Sequence, residues 1–196
     1  GDAEVALLTE ALGGSSATAG VAVGAGKVND ITKLASFRAG IPYAAIATAP
    51  SMNGYTSGIA AILSAGVKTT EPCHLPVACL ADVEVLGRAP QRLLAAGLGD
   101  LLSRPVSCAD WYLSHRLLGT EYPPGALELI GHSDRLIRDV APSLPARQPN
   151  AVAHLTAALL VSGLAMGAAS TSAPASGGEH LISHYLDMTH FAWGET

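Results

Sequence analysis

Apolar residues fall along this 196-residue chain in two successive rhythms, short runs punctuated by glycine up to Asp82 and helical spacings beyond Gly87. Val5, Leu7, Leu8 and Leu12 predict a helix over Gly1 to Gly14 that stops at Gly13-Gly14. Ala19 to Val23 predicts a short buried strand running into Gly24-Ala-Gly-Lys-Val-Asn-Asp30, and a helix follows over Ile31 to Ala39. Tyr43 to Thr48 predicts a second buried strand, ending in the turn-forming loop Ala49-Pro-Ser-Met-Asn-Gly-Tyr-Thr-Ser57. A β excursion over Gly58 to Thr70 and a strand over Val77 to Asp82 complete the sheet. The later pattern predicts helices over Pro90 to Ala96, Leu98 to Leu118, Gly125 to Val140, Asn150 to Ala168 and Gly178 to His190, with proline-rich and Ser/Ala/Gly-rich breaks between them. The architecture expected is an α/β sheet domain, residues 1–87, followed by an all-helical domain, residues 88–196. A parallel α/β unit that opens on a helix implies that the first strands of its sheet lie outside this sequence.

Composition narrows the choice of partners. A chain that is 49% hydrophobic and 14% charged can bury a sizeable core. Its net charge of −5 and eleven scattered Lys and Arg argue against nucleic acid or an anionic membrane surface. Cys73, Cys79 and Cys108 are odd in number and lack a metal-type CxxC spacing, so they read as buried free thiols of a reducing cytoplasm. No secretory leader pattern opens the chain. The apolar run from Leu155 to Ala169 falls short of the ~20 residues of a membrane span and is expected to be a buried helix.

Chemistry concentrates at Ser176-Gly-Gly-Glu-His-Leu-Ile-Ser-His184, where His180 and His184, four apart, share one helix face. On spacing alone, two solvated or packed histidines are the commoner outcome. A third group is suggested by Asp100, a lone acid in the apolar segment Ala95 to Ser103, since imidazole plus carboxylate suits zinc and its divalent neighbours. Strand, glycine turn and helix at Gly24 to Asp30 is a geometry that holds phosphate, and it is also that of an ordinary βα turn. Lys27 would add charge there or be solvated, and Asp30 suits a first helical turn. The loop from Ala49 to Ser57 lies where open parallel sheets bind ligands, although Pro-Asn-Gly also makes a plain turn.

Taken together, Gly24-Ala-Gly-Lys-Val-Asn-Asp-Ile-Thr-Lys33, Thr48-Ala-Pro-Ser-Met-Asn-Gly-Tyr-Thr-Ser57, Ala95-Ala-Gly-Leu-Gly-Asp100 and Pro174 to His184 resemble, in order and spacing, the glycerol-1-phosphate dehydrogenase family. That family lies within the iron-containing alcohol dehydrogenase, glycerol dehydrogenase and dehydroquinate synthase group. The resemblance implies a Rossmann-like domain binding NAD or NADP and a helical domain holding a divalent metal, usually zinc, sometimes nickel or iron. By the same resemblance Gly24, Gly26, Lys27, Asp30, Thr48, Ser51, Tyr55 and Ser57 are expected on the cofactor side, and Asp100 and His180 as metal ligands. Asn53 and His184 are expected to face the substrate. The family's third ligand is a histidine followed by glycine beyond the end of this sequence, for which His190, followed by Phe191, is a poor substitute. The expected function is hydride transfer between nicotinamide and a small polyol, polyol phosphate or sugar-like alcohol in a cytoplasmic homodimer. A sugar-phosphate cyclase of the dehydroquinate synthase kind and a non-catalytic binding protein are the alternatives. Two departures from the family pattern, Asn53 in place of Asp and Ala173 in place of Arg, predict a weaker hold on a phosphate ester.

Overall fold

The computed structural model describes residues 1–64, 66–138 and 141–193, without the side chains of 187 and 190–193. Helix α1 (Asp2–Gly13) leads to strand β1 (Gly20–Gly24), helix α2 (Gly26–Arg38) and strand β2 (Tyr43–Ala47). A 3₁₀ turn at Gly54–Thr56 precedes the antiparallel hairpin of β3 (Ile59–Ser64) and β4 (Val67–Pro72), whose turn contains Gly66 at φ +81°. Strand β5 (Ala78–Ala81) then adds in parallel to β2, giving a three-stranded sheet ordered β1-β2-β5. The molecule is therefore mixed α/β, mostly helical, with a parallel sheet, as the sequence pattern implied.

Helix α2 begins earlier than its apolar spacing suggested. The turn out of β1 occupies only Ala25, and Gly26 to Asp30 already belong to the helix. Gly24 permits this, because a Cβ there would collide with Val28. A five-residue helix, α3 (Val83–Gly87), also follows β5, started by Asp82, whose Oδ1 accepts the N–H groups of Glu84 and Val85. Helix α4 (Gln91–Leu102) runs straight through Gly97, and the break falls at Ser103 because Pro105 starts α5 (Arg104–Leu118).

The last three helices are α6 (Pro124–Arg138), α7 (Pro149–Ala169) and α8 (Gly178–Trp193), with a 3₁₀ segment at Ala141–Ala146. Helix α7 has 21 residues, longer than the run read from sequence, and by length and composition it could cross a membrane. More than half of its most apolar stretch is nevertheless covered by protein, with α3, α4, α6 and the Gly54–Thr56 turn against it.

Tyr43, Ala45 and Ala47 of β2 share one buried cluster with Leu86 of α3, Leu94 and Leu101 of α4, and Leu155 and Leu159 of α7. One core thus crosses residue 87. On the other face of the sheet Val21, Val23 and Leu80 are 57%, 58% and 60% exposed, with a half-buried Ile46 between Val23 and Leu80.

Candidate functional site

The turn between β1 and α2 presents a helix start without a side-chain cap, since Ala25 is the N-cap residue and offers no acceptor. Gly26 keeps the approach narrow: the Met52 sulfur would lie 3.1 Å from any Cβ placed there. The loop after β2 is tied to the same turn, with the Thr48 N–H donating to Gly24 O at 3.2 Å. Tyr55 donates its hydroxyl to Ala49 O at 2.8 Å and reaches Gly24 O at 3.4 Å, and burial pushes the phenol up to about 12. Thr48 and Ser51 are both half-buried on this loop.

That loop is seated on two helices by backbone contact. A Cβ on Gly97 of α4 would overlap Pro50 O, and one on Gly163 of α7 would overlap Thr56 Oγ1 and Asn53 O. Thr56 completes the seat by donating to Leu160 O at 2.6 Å. The chain can approach this closely only because both helix positions lack a side chain.

Seating carries Asn53 to Asp100. The Asn53 backbone N–H donates to Asp100 Oδ2 at 2.8 Å, while its side-chain amide turns towards Ser162 Oγ at 3.4 Å and is only 8% exposed. The other carboxylate oxygen, Asp100 Oδ1, faces His180 Nε2 at 3.5 Å. His180 Nδ1 is held by Glu179 Oε1 at 2.8 Å, and the His184 ring stands edge-on with its centroid 6.2 Å from that of His180. Hydrogen bonding to Asp100, reinforced by Glu179, raises the His180 pKa above the ordinary histidine value against the opposing effect of burial. Burial pushes Glu179 up, but the hydrogen bonds from His180 and the Gly177 N–H outweigh it and hold the carboxyl below its usual range.

Gly24, Gly26, Thr48, Ser51, Asn53, Tyr55, Asp100, His180 and His184 therefore form one continuous path from the turn to the histidines. Three other residues picked from the sequence are engaged elsewhere. The Lys27 ammonium, 73% exposed, pairs with Glu4 at 2.9 Å. Asp30 is buried, accepting from Asn29 Nδ2 and the Ala61 N–H, with Lys33 Nζ 3.8 Å away. Ser57 is buried beside Lys33 Nζ, which also donates to Gly54 O and Ile59 O. Burial drives both members of the Lys33–Asp30 pair towards neutrality.

Asp100 and His180 suit a divalent cation, offering one carboxylate oxygen and one imidazole nitrogen to the same point. Among the described residues no cluster of three or more His, Cys, Asp and Glu forms around a common point. The His190 side chain lies outside the described residues. Ala173 packs beside Trp111 and lines a separate cavity of about 420 Å³ with Ser107, Asp110, Trp111, Glu121 and Ser176. Glu179, Ser162, Gly97 and Gly163 were not singled out from sequence. Only Glu179 carried a signal, as the acid beside the histidine.

Residues 2–90 match the family model described as iron-containing alcohol dehydrogenase. Over those residues the chain is similar to the iron-containing alcohol dehydrogenases. The chain is also similar to glycerol-1-phosphate dehydrogenases [NAD(P)+]: 40% identical over 168 residues to that of Bacillus licheniformis and 41% to that of Pyrococcus horikoshii, covering 86% of this chain in each case. The chain spans 42% and 49% of the lengths of these two relatives. Its fold matches a probable glycerol dehydrogenase from Sinorhizobium meliloti with a TM-score of 0.82 at 21% identity, over 99% of this chain and 56% of that one.

Proposed function

We propose that this iron-containing alcohol dehydrogenase relative is part of an NAD(P)-linked, metal-dependent dehydrogenase acting on a small polyol, its phosphate or the matching ketone. The observation that carries the reading is the unbroken path from the Gly24–Gly26 turn through the seated loop to Asp100 and His180. The turn offers uncapped N–H groups to a pyrophosphate. Thr48 and Ser51 lie along the next stretch, where a nicotinamide would extend. Asp100 and His180 would hold a divalent metal, zinc, nickel or iron, which supplies Lewis-acid polarisation of a substrate hydroxyl. His184 stands one ring away from the pair and can pass a proton to or from solvent. Asn53 fixes Asp100 through its backbone, and its amide lacks the charge that an aspartate would bring. Residues 1–87 form the cofactor side and 88–196 the metal side of this arrangement, despite the shared core.

The relatives' names favour a phosphorylated polyol. Asn53 and Ala173 weigh against a tight hold on phosphate, and the cavity beside Ala173 contains the carboxylates of Asp110 and Glu121 and no basic residue among its lining. The test is reduction of dihydroxyacetone phosphate and of dihydroxyacetone, with NADH and NADPH, by the full-length metal-loaded protein. Turnover of either ketone is expected, together with an NAD(P)H fluorescence titration that is strongly weakened in Gly26→Val. Absence of both turnover and cofactor binding would refute a dehydrogenase.

A further inference from the structure

Adjacent residues on a helix point in different directions, so a carboxylate at one position does not normally reach an imidazole at the next. Glu179 does so because its side chain folds back over the start of α8. Its Oε1 accepts the Gly177 N–H at 3.0 Å and His180 Nδ1 at 2.8 Å. Gly177 makes room for this, since a Cβ there would lie 2.9 Å from Glu179 Oε2 and 2.7 Å from Asp110 Oδ2. Glu179 Oε2 is buried and has no hydrogen-bond partner among the described residues, so the carboxylate's hydrogen bonding is concentrated on the oxygen that faces the ring.

An ionised carboxylate only accepts, so the ring nitrogen it holds must carry the proton. The neutral ring has one proton, which stays with the nearer acceptor on Nδ1, so Nε2, with Asp100 Oδ1 farther off at 3.5 Å, keeps a lone pair to offer. Which imidazole nitrogen binds a cation is decided by what the opposite nitrogen is bonded to. We propose that Glu179 is a positioning residue that locks His180 in its Nδ1–H form and aims Nε2 at the point shared with Asp100. This inference rests on the proposed metal pair.

A second carboxylate at the same helix start provides the control. Asp110 Oδ2 accepts the Gly178 N–H at 2.7 Å, so it pins α8 without bonding to His180 among the described residues. The experiment uses the full-length protein stripped of metal. Long-range proton–nitrogen NMR of the His180 ring is recorded at a pH where the ring is neutral, and zinc affinity is then measured by competition with a chelator. Wild type and Asp110→Asn are expected to show the Nδ1–H form. Glu179→Ala should pass to the Nε2–H form and lose about 10–100-fold in zinc affinity, while Glu179→Gln, which keeps an acceptor, should recover the Nδ1–H form. An unchanged ring in Glu179→Ala, or an equal loss of affinity in Asp110→Asn, overturns the proposal. A ring that switches in a protein whose wild type takes up no zinc overturns the metal pair instead.

Discussion

At the scale of single residues the site is a histidine held between two carboxylates, and that arrangement has a pH signature in the metal-free protein. The folded pKa of His180 is raised, so protonation stabilises the native state. This contribution is fully present below the ordinary histidine value of about 6.5 and is lost as pH rises through the higher folded value. Urea midpoints of metal-free wild type and His180→Asn should therefore differ most in mild acid and converge at alkaline pH. A gap that widens with rising pH would show that the ring is held neutral. The residue types of this site were legible in the sequence, since Asp100 and the His180/His184 pair stand out against apolar surroundings. The direction of a side chain was not. Lys27, Asp30 and Ser57 sit within the same motifs as Gly24, Gly26 and Tyr55, yet their partners are Glu4, Lys33 and Ala61. Lys33 lies in the same motif as Asp30, but Glu4 and Ala61 come from α1 and β3, and motif spacing carries no information about what a neighbouring element brings.

At the scale of elements the loop after β2 derives its position from α4 and α7. Gly163→Ala must push Thr56 and Asn53 off the helix, and overpacking of this kind costs about 1–3 kcal/mol. The expected outcome is a lowered urea midpoint together with faster hydrogen exchange at the Asn53 amide, the donor to Asp100. Normal protection of that amide would mean that the loop is held by other contacts. From the sequence Gly97 looked like the end of a helix, because glycine is a poor helix former. Its use as a seat depends on Pro50, 47 positions earlier in the chain and close only in the folded protein. The βα unit, the hairpin and the long apolar helix were readable because each declares itself within a local window. The start at Asp82 and the break at Pro105 were readable in principle, and were outweighed by the apolar spacing on either side.

At the scale of the whole molecule, the core that runs from β2 to α7 joins sheet and helices, while the opposite face of the sheet is bare. Parallel strands are normally covered on both faces, so the exposed Val21, Val23 and Leu80 form an uncommonly apolar surface in this 196-residue chain. A dye that reports exposed apolar surface should bind the folded chain, and Val23→Thr with Leu80→Lys should reduce its signal without lowering the urea midpoint. A lowered midpoint would show instead that the face is packed in solution. The seating of the 49–57 loop has a different kind of consequence, one of motion. Where a loop rests on helix glycines there is no long side chain beneath it to give way, so Asn53 and its bond to Asp100 are expected to be the stiff part of this region. Helix α8 is attached at its start to α5 through the Asp110 carboxylate on the Gly178 N–H, a bond that can be exchanged for water. Amide exchange is therefore expected to be faster at Gly178, bonded to Asp110 at the surface, than at Asn53, held on its seat.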